Sequence, residues 1–215
     1  MIKKIKIIPA VLAKNGTDFK KRWQKIAPYF KYVQIDIMDG YLVPIKNNIR
    51  PSCVRPLAQN HRLEIHLMVK GVSARILPWL KLKNVRQIIW HYEAESDERS
   101  QICLAQYLHQ KKVKVGLAIN PETPVNKIKK IVKYFDAVQI MGVIPGREKQ
   151  AFQKSVLTKI KSLRRLYPRL NIIVDGGVNE KTALTIKKAG ASALAIGSYL
   201  QKSADIPQAI KKLNL

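Results

Sequence analysis

Eight short, nearly unbroken apolar runs recur along this chain at intervals of about 27 residues, and each is followed by a segment with helical spacing. The runs span residues 5–11, 32–37, 63–68, 87–91, 113–119, 137–143, 171–174 and 193–196. A strand that is apolar throughout belongs in a sheet covered on its outer side, and strands joined by helices run parallel. The intervening segments 18–29, 96–110, 125–135, 155–166 and 180–189 read as clear amphipathic helices. Segment 51–60 is a weak helix, 72–82 contains Pro78, and 207–213 is a short final helix. Eight such units predict a closed (β/α)8 TIM barrel. A doubly wound sheet ranks second, because it has less need of eight evenly spaced units. With no linker or low-complexity stretch, residues 1–215 are expected to form one domain.

A barrel of this kind gathers the C-terminal ends of its strands around one mouth. Three apolar runs end in ionisable residues: Gln34-Ile35-Asp36-Ile37-Met38-Asp39-Gly40, Glu64-Ile65-His66-Leu67-Met68 and Ile173-Val174-Asp175-Gly176-Gly177. Taken singly, a strand-end Asp often caps a helix or ties a loop, and a lone His is more often a satisfied core residue. An Asp36/His66/Asp175 set meeting at one mouth can bind a metal and move protons. Met38, Met68 and Met141 also stand at strand ends, where core packing is the simpler use and an apolar wall around a reacting carbon the sharper one. Gly176, Gly177, Gly197 and Ser198 follow the last two strands, where barrels hold phosphate, and Gly142 and Gly146 lie in the long loop after the sixth. Each glycine alone is equally well read as a tight turn.

The chain carries 40 Lys and Arg against 14 Asp and Glu, a net charge of +26. That charge attracts phosphorylated metabolites and polyanions without specificity. No basic segment alternates with aromatics, and no zinc-finger or RNA-binding string occurs. No apolar run is long enough for a membrane span, which requires about 18 residues. The N-terminal apolar stretch is short and holds Pro9, so it reads as a first strand in a cytoplasmic protein. Cys53 and Cys103 lack CxxC spacing and are expected to be small core residues.

The ordered motifs run almost the whole length: Ile35-Asp36-Ile37-Met38-Asp39-Gly40, Val43-Pro44, His66-Leu67-Met68-Val69, His91-Tyr92-Glu93-Ala94, Val115-Gly116-Leu117-Ala118-Ile119-Asn120-Pro121, Pro145-Gly146, Val174-Asp175-Gly176-Gly177-Val178 and Gly197-Ser198. In this series the chain resembles the ribulose-phosphate 3-epimerase family. The resemblance implies interconversion of ribulose 5-phosphate and xylulose 5-phosphate by two-aspartate proton transfer through a cis-enediolate. It implies one divalent metal ion, among Zn, Fe, Mn, Co and Mg, held by Asp36, His66 and Asp175. Asp36 and Asp175 would exchange the proton on opposite faces of the sugar. Met38, Met68 and Met141 would line the intermediate, and Gly142, Gly146, Gly176, Gly177, Gly197 and Ser198 would bind substrate. The expected partners are a sugar phosphate, non-specific polyanions and a second copy of the chain, with no membrane.

The match departs from the family pattern at the mouth. Gln34 stands where the family has a fourth metal ligand, His, and Ala10 where it has Ser. Tyr41-Leu42-Val43-Pro44-Ile45 replaces His-Phe-Val-Pro-Asn, and Pro145-Gly146-Arg147-Glu148-Lys149-Gln150 replaces a glycine-rich loop. Arg147 or Lys149 would then hold phosphate by side chain, or face water. The alternatives to a retained epimerase are action on another ketose phosphate and a weakened homologue that binds polyanions. Related decarboxylases and synthases place a Lys between acids, and the Asp36-Ile37-Met38-Asp39 string has none.

Overall fold

The computed structural model describes residues 5–95, 97–146, 150–213 and 215. Eight parallel strands close into a barrel in chain order. They are β1 (Lys6–Val11), β2 (Tyr32–Met38), β3 (Arg62–Met68), β4 (Val85–His91), β5 (Lys114–Ile119), β6 (Ala137–Met141), β7 (Asn171–Asp175) and β8 (Ala193–Ile196). Pairing of Lys6 with Ala193 through Pro9 with Ile196 joins the first strand to the last. The helices are α1 (Gly16–Ile26), α2 (Pro51–Val54), α3 (Val72–Leu80), α4 (Glu98–Gln110), α5 (Val156–Leu166), α6 (Ala183–Ala189), α7 (Ser198–Lys202) and α8 (Ile206–Lys212). Among the described residues, no helix is long and apolar enough to cross a membrane.

Side chains alternate across each strand, so the barrel has two separate buried faces. The outward set, such as Val33, Ile35, Leu63, Ile65, Leu67, Val174 and Leu194, packs against helix residues including Phe19, Trp23, Ile76, Leu108 and Ile160. The inward apolar set is smaller and rich in alanine: Ile8, Ala10, Ile89, Ala118, Ala137, Ile173, Ala193 and Ala195. Its small volume leaves room for inward polar side chains. At Gly116 a Cβ would come within 2.7 Å of the Ile89 side chain, so the interior takes Ile89 in its place.

Local chemistry sets several helix ends. Asn15 caps α1 by accepting from the Asp18 N–H, Asp97 caps α4 through Arg99 and Ser100, and Asp205 caps α8 through Gln208. Gly190, at φ 111°, closes α6. Segment 125–135 departs from expectation, because two 3₁₀ turns, Val125–Ile128 and Val132–Tyr134, replace the helix. Val125, Ile128, Ile131 and Tyr134 recur every third residue, and that spacing makes one face of a 3₁₀ rather than an α-helix. The weak helix at 51–60 is one turn, ended by Pro56, and α3 runs only two residues past Pro78. Neither cysteine is core: Cys53 is half-buried beside Gly16, and Cys103 is exposed on α4.

Candidate active site

Strand register places the ionisable residues. Asp36 on β2 lies opposite His66 on β3, and Met38 opposite Met68. Met141 on β6 lies opposite Asp175 on β7. Asp36, His66 and Asp175 therefore converge, each bringing one donor atom to within 4.8 Å of the others. His66 Nδ1 is 3.1 Å from Asp36 Oδ1 and 3.6 Å from Asp175 Oδ2. All three residues are buried. Burial, reinforced by the Asp36 charge, pushes the Asp175 carboxyl up to about 6. Burial also brings the His66 imidazole down to about 4, against the pull of Asp175, so the ring is neutral at pH 7.

Two glutamines complete the cluster. The Gln34 Nε2 donates to Asp36 Oδ1 at 2.8 Å and to Asp175 Oδ2 at 2.7 Å. The Gln139 Nε2 donates to Asp175 Oδ2 at 2.9 Å. The carbonyl oxygens Gln34 Oε1 and Gln139 Oε1 are buried and meet no hydrogen-bond partner among the described residues. An amide that turned about its last torsion would present oxygen to the space between the carboxylates, where a cation would satisfy it. Two carboxylates, an imidazole nitrogen and an orphaned amide oxygen fit a hard or borderline divalent cation.

Asp39 separates from Asp36 in the fold. Its carboxylate accepts from the backbone N–H groups of Tyr41, Leu42 and Lys70, so it ties the loop after β2. Asn47 anchors the same strand end by donating to the Asp36 carbonyl and accepting from the Met38 N–H.

An open cavity of about 630 Å³, counting the space at its mouth, sits above the cluster. Asp36, His66 and Asp175 form its floor, with Met68 and Met141 beside them and Gly146, Gly176, Gly177, Gly197 and Ser198 around one side. Met38 is outside the lining and packs on Val43 and Met68. Gly142 is outside it too, and a Cβ there would sit 2.4 Å from the Gly176 carbonyl oxygen. Gly176 and Gly177 have φ values of 97° and 69°, and a Cβ on Gly177 would strike the Phe152 backbone at 2.7 Å. Glycine is thus required there twice over, and bare backbone faces the cavity. Ala10 lines the cavity, whereas Tyr41 and Ile45 are exposed outside it. Arg147 and Lys149 lie outside the described residues.

The interior holds polar residues to which the sequence reading gave no role: Glu64, Gln87, His91 and Gln139. All lie at inward positions two residues from another inward residue, so a polar residue on the even beat of an apolar strand was the available signal. His91 extends the cluster, its Nε2 lying 3.0 Å from His66 Nε2.

The ribulose-phosphate 3 epimerase family profile matches residues 6–201. The ribulose-phosphate 3-epimerase of Bacillus subtilis is 34% identical over 221 residues, covering 97% of this chain and 98% of the relative. That of Schizosaccharomyces pombe is 33% identical over 199 residues, covering 90% and 85%. Among solved structures, a 3-hexulose-6-phosphate synthase superposes with a TM-score of 0.70 at 14% identity, over 97% of this chain and 98% of that one. A tryptophan synthase α-subunit variant from Pyrococcus furiosus gives 0.71 at 16% identity, over 100% and 98%. At these identities the structural likeness is one of fold.

Proposed function

The chain belongs to the ribulose-phosphate 3-epimerase family, and from that premise we propose that it interconverts ribulose 5-phosphate and xylulose 5-phosphate. The reading is carried by the convergence of Asp36, His66 and Asp175 on the cavity floor. The carboxylates arrive from β2 and β7, strands that are not neighbours, and so approach a bound sugar from different directions. One takes the proton from carbon 3 and the other returns a proton to the opposite face, and the reverse reaction exchanges the roles. Asp175, held near pH 6 by burial and by Asp36, is able to carry a proton at neutral pH. Asp36, His66 and Asp175 would hold a divalent cation, with Gln34 as a fourth donor through its oxygen. When bound, that cation would stabilise the negative charge that develops on the sugar oxygens.

Met68 and Met141 exclude water from the reacting carbon. The backbone at Gly176, Gly177 and Gly197, with the Ser198 hydroxyl, would receive the phosphate. No Lys or Arg lines the cavity among the described residues. The test is deuterium incorporation at carbon 3 of ribulose 5-phosphate in D₂O, with Mn²⁺, Fe²⁺, Co²⁺ or Zn²⁺ supplied in turn. Exchange that falls by about 10²-fold or more in Asp36→Asn is expected. No exchange with any of these ions would sink the reading.

A further inference from the structure

His66 can serve a cation only through a nitrogen that bears no proton, and the residues behind it bear on which nitrogen that is. The His66 and His91 ring planes differ by 15° and their centroids are 5.1 Å apart, yet the two Nε2 atoms approach to 3.0 Å. Each ring therefore points its Nε2 at the other, which makes the contact an edge-to-edge hydrogen bond and not a face-to-face stack. One nitrogen donates and the other accepts. On its far side, His91 Nδ1 lies 3.1 Å from Asn120 Oδ1 and 3.5 Å from Glu93 Oε2. Glu93 is fixed in turn by the Thr123 hydroxyl and by the Asn120 N–H at 2.9 Å. Burial works to raise the Glu93 carboxyl, but the nearby His91 ring and the hydrogen bonds from the Thr123 hydroxyl and the Asn120 N–H outweigh it and hold it below the usual carboxylate range. The Nε2–Nε2 contact admits one hydrogen, so one of the two facing nitrogens is bare, and for a pair of neutral rings only the tautomer is in question.

Two proton arrangements satisfy the pair. If His66 carries its proton on Nδ1, that proton serves Asp36 Oδ1 at 3.1 Å, but His91 must donate from Nε2, and its bare Nδ1 then faces a carboxylate and an amide oxygen. If His91 carries its proton on Nδ1, it donates to Asn120 Oδ1 at 3.1 Å with the Glu93 carboxylate beside it at 3.5 Å, and His66 donates from Nε2. The bare nitrogen is then His66 Nδ1, which faces Asp36 and Asp175 and has the amide nitrogens of Gln139 and Gln34 within reach at 3.3 and 3.4 Å. We propose that His91, backed by Glu93, is a positioning residue that fixes the tautomer of His66 with Nδ1 bare toward the two aspartates, so that the pocket is receptive to a cation. Glu93 thereby passes its demand for a proton through two imidazoles to the cavity floor. The inference rests on reading Asp36, His66 and Asp175 as a metal site, and its main test needs no metal.

The experiment is ¹⁵N NMR of histidine-labelled, chelator-treated protein near pH 7.5. In the wild type His66 is expected to show a protonated Nε2 and a bare Nδ1. His91→Phe, which removes the acceptor, and Glu93→Gln, which removes the charge at a half-buried position where folding is less at risk, are each expected to raise the Nδ1-protonated form. Mn²⁺ affinity by calorimetry should fall about 10–100-fold in both variants. A wild-type His66 protonated on Nδ1, or a tautomer unmoved in Glu93→Gln, overturns the proposal. The expected tautomer in a wild type that binds no Mn²⁺ supports the relay and counts against the metal reading alone.

Discussion

The barrel interior buries carboxylates at two levels, and it compensates them differently. At the mouth, Asp36 and Asp175 receive amide hydrogens from Gln34 and Gln139. One step below, Glu64 accepts from the Tyr32 hydroxyl at 2.9 Å, and the Lys6 ammonium lies 3.3 Å over the Tyr32 ring. The lower carboxylate is pushed up to about 7, chiefly by burial, and nearly closed off from solvent. The upper pair opens onto the cavity, and its partners are amides that offer oxygen after a half-turn. A buried acid is common to both levels. Only the upper one has an opening for a substrate and partners able to change what they present.

The largest expected effect separates the levels by turnover. Asp175→Asn should cost about 10²–10⁴-fold in epimerisation, whereas Glu64→Gln should stay within about tenfold of wild type. Steady-state assays on both variants would break the comparison if the losses were equal. Next, Gln34→His should tighten Mn²⁺ binding by about 10–100-fold, because a fixed imidazole replaces an amide that must turn. Calorimetry showing unchanged or weaker binding would mean that Gln34 does not face the cation.

A smaller effect follows from Asp175. Its pKa is raised, so it takes up a proton as pH falls through about 6, and Mn²⁺ affinity should fall with it by up to about tenfold per pH unit. Titrations at pH 7.5 and 5.5 check this.

The smallest effect belongs to Glu64. A carboxyl whose folded pKa lies above its unfolded value binds more protons when folded, so its contribution to stability declines between about pH 4.5 and 7. Urea melts at pH 5 and pH 8 should show the wild type losing on the order of 1 kcal/mol relative to Glu64→Gln. A difference independent of pH would mean that Glu64 stays ionised at its level too.

Much of this was legible in the chain. Strand positions came from apolar runs, because parallel strands under a helical layer need outward apolar faces. Asp36, His66 and Asp175 stood out because each interrupts such a run at its end. The segment at 125–135 misled because its cations and apolar residues share a three-residue spacing, which resembles an α-helical face over short lengths. Asp39 stands in the same string as Asp36, but the string alone assigns it no role, and its use as a loop tie appears only in the fold.

The sequence alone determined the number and order of strands and which of their ends carry acids and imidazole, since both follow from local periodicity and residue type. Only the tertiary structure decided which polar residues meet. Gln139 reaches Asp175 from a neighbouring strand, and His91 reaches His66 likewise. Those contacts depend on strand register and on barrel closure, which put residues tens of positions apart within hydrogen-bond distance, and no window of sequence contains them.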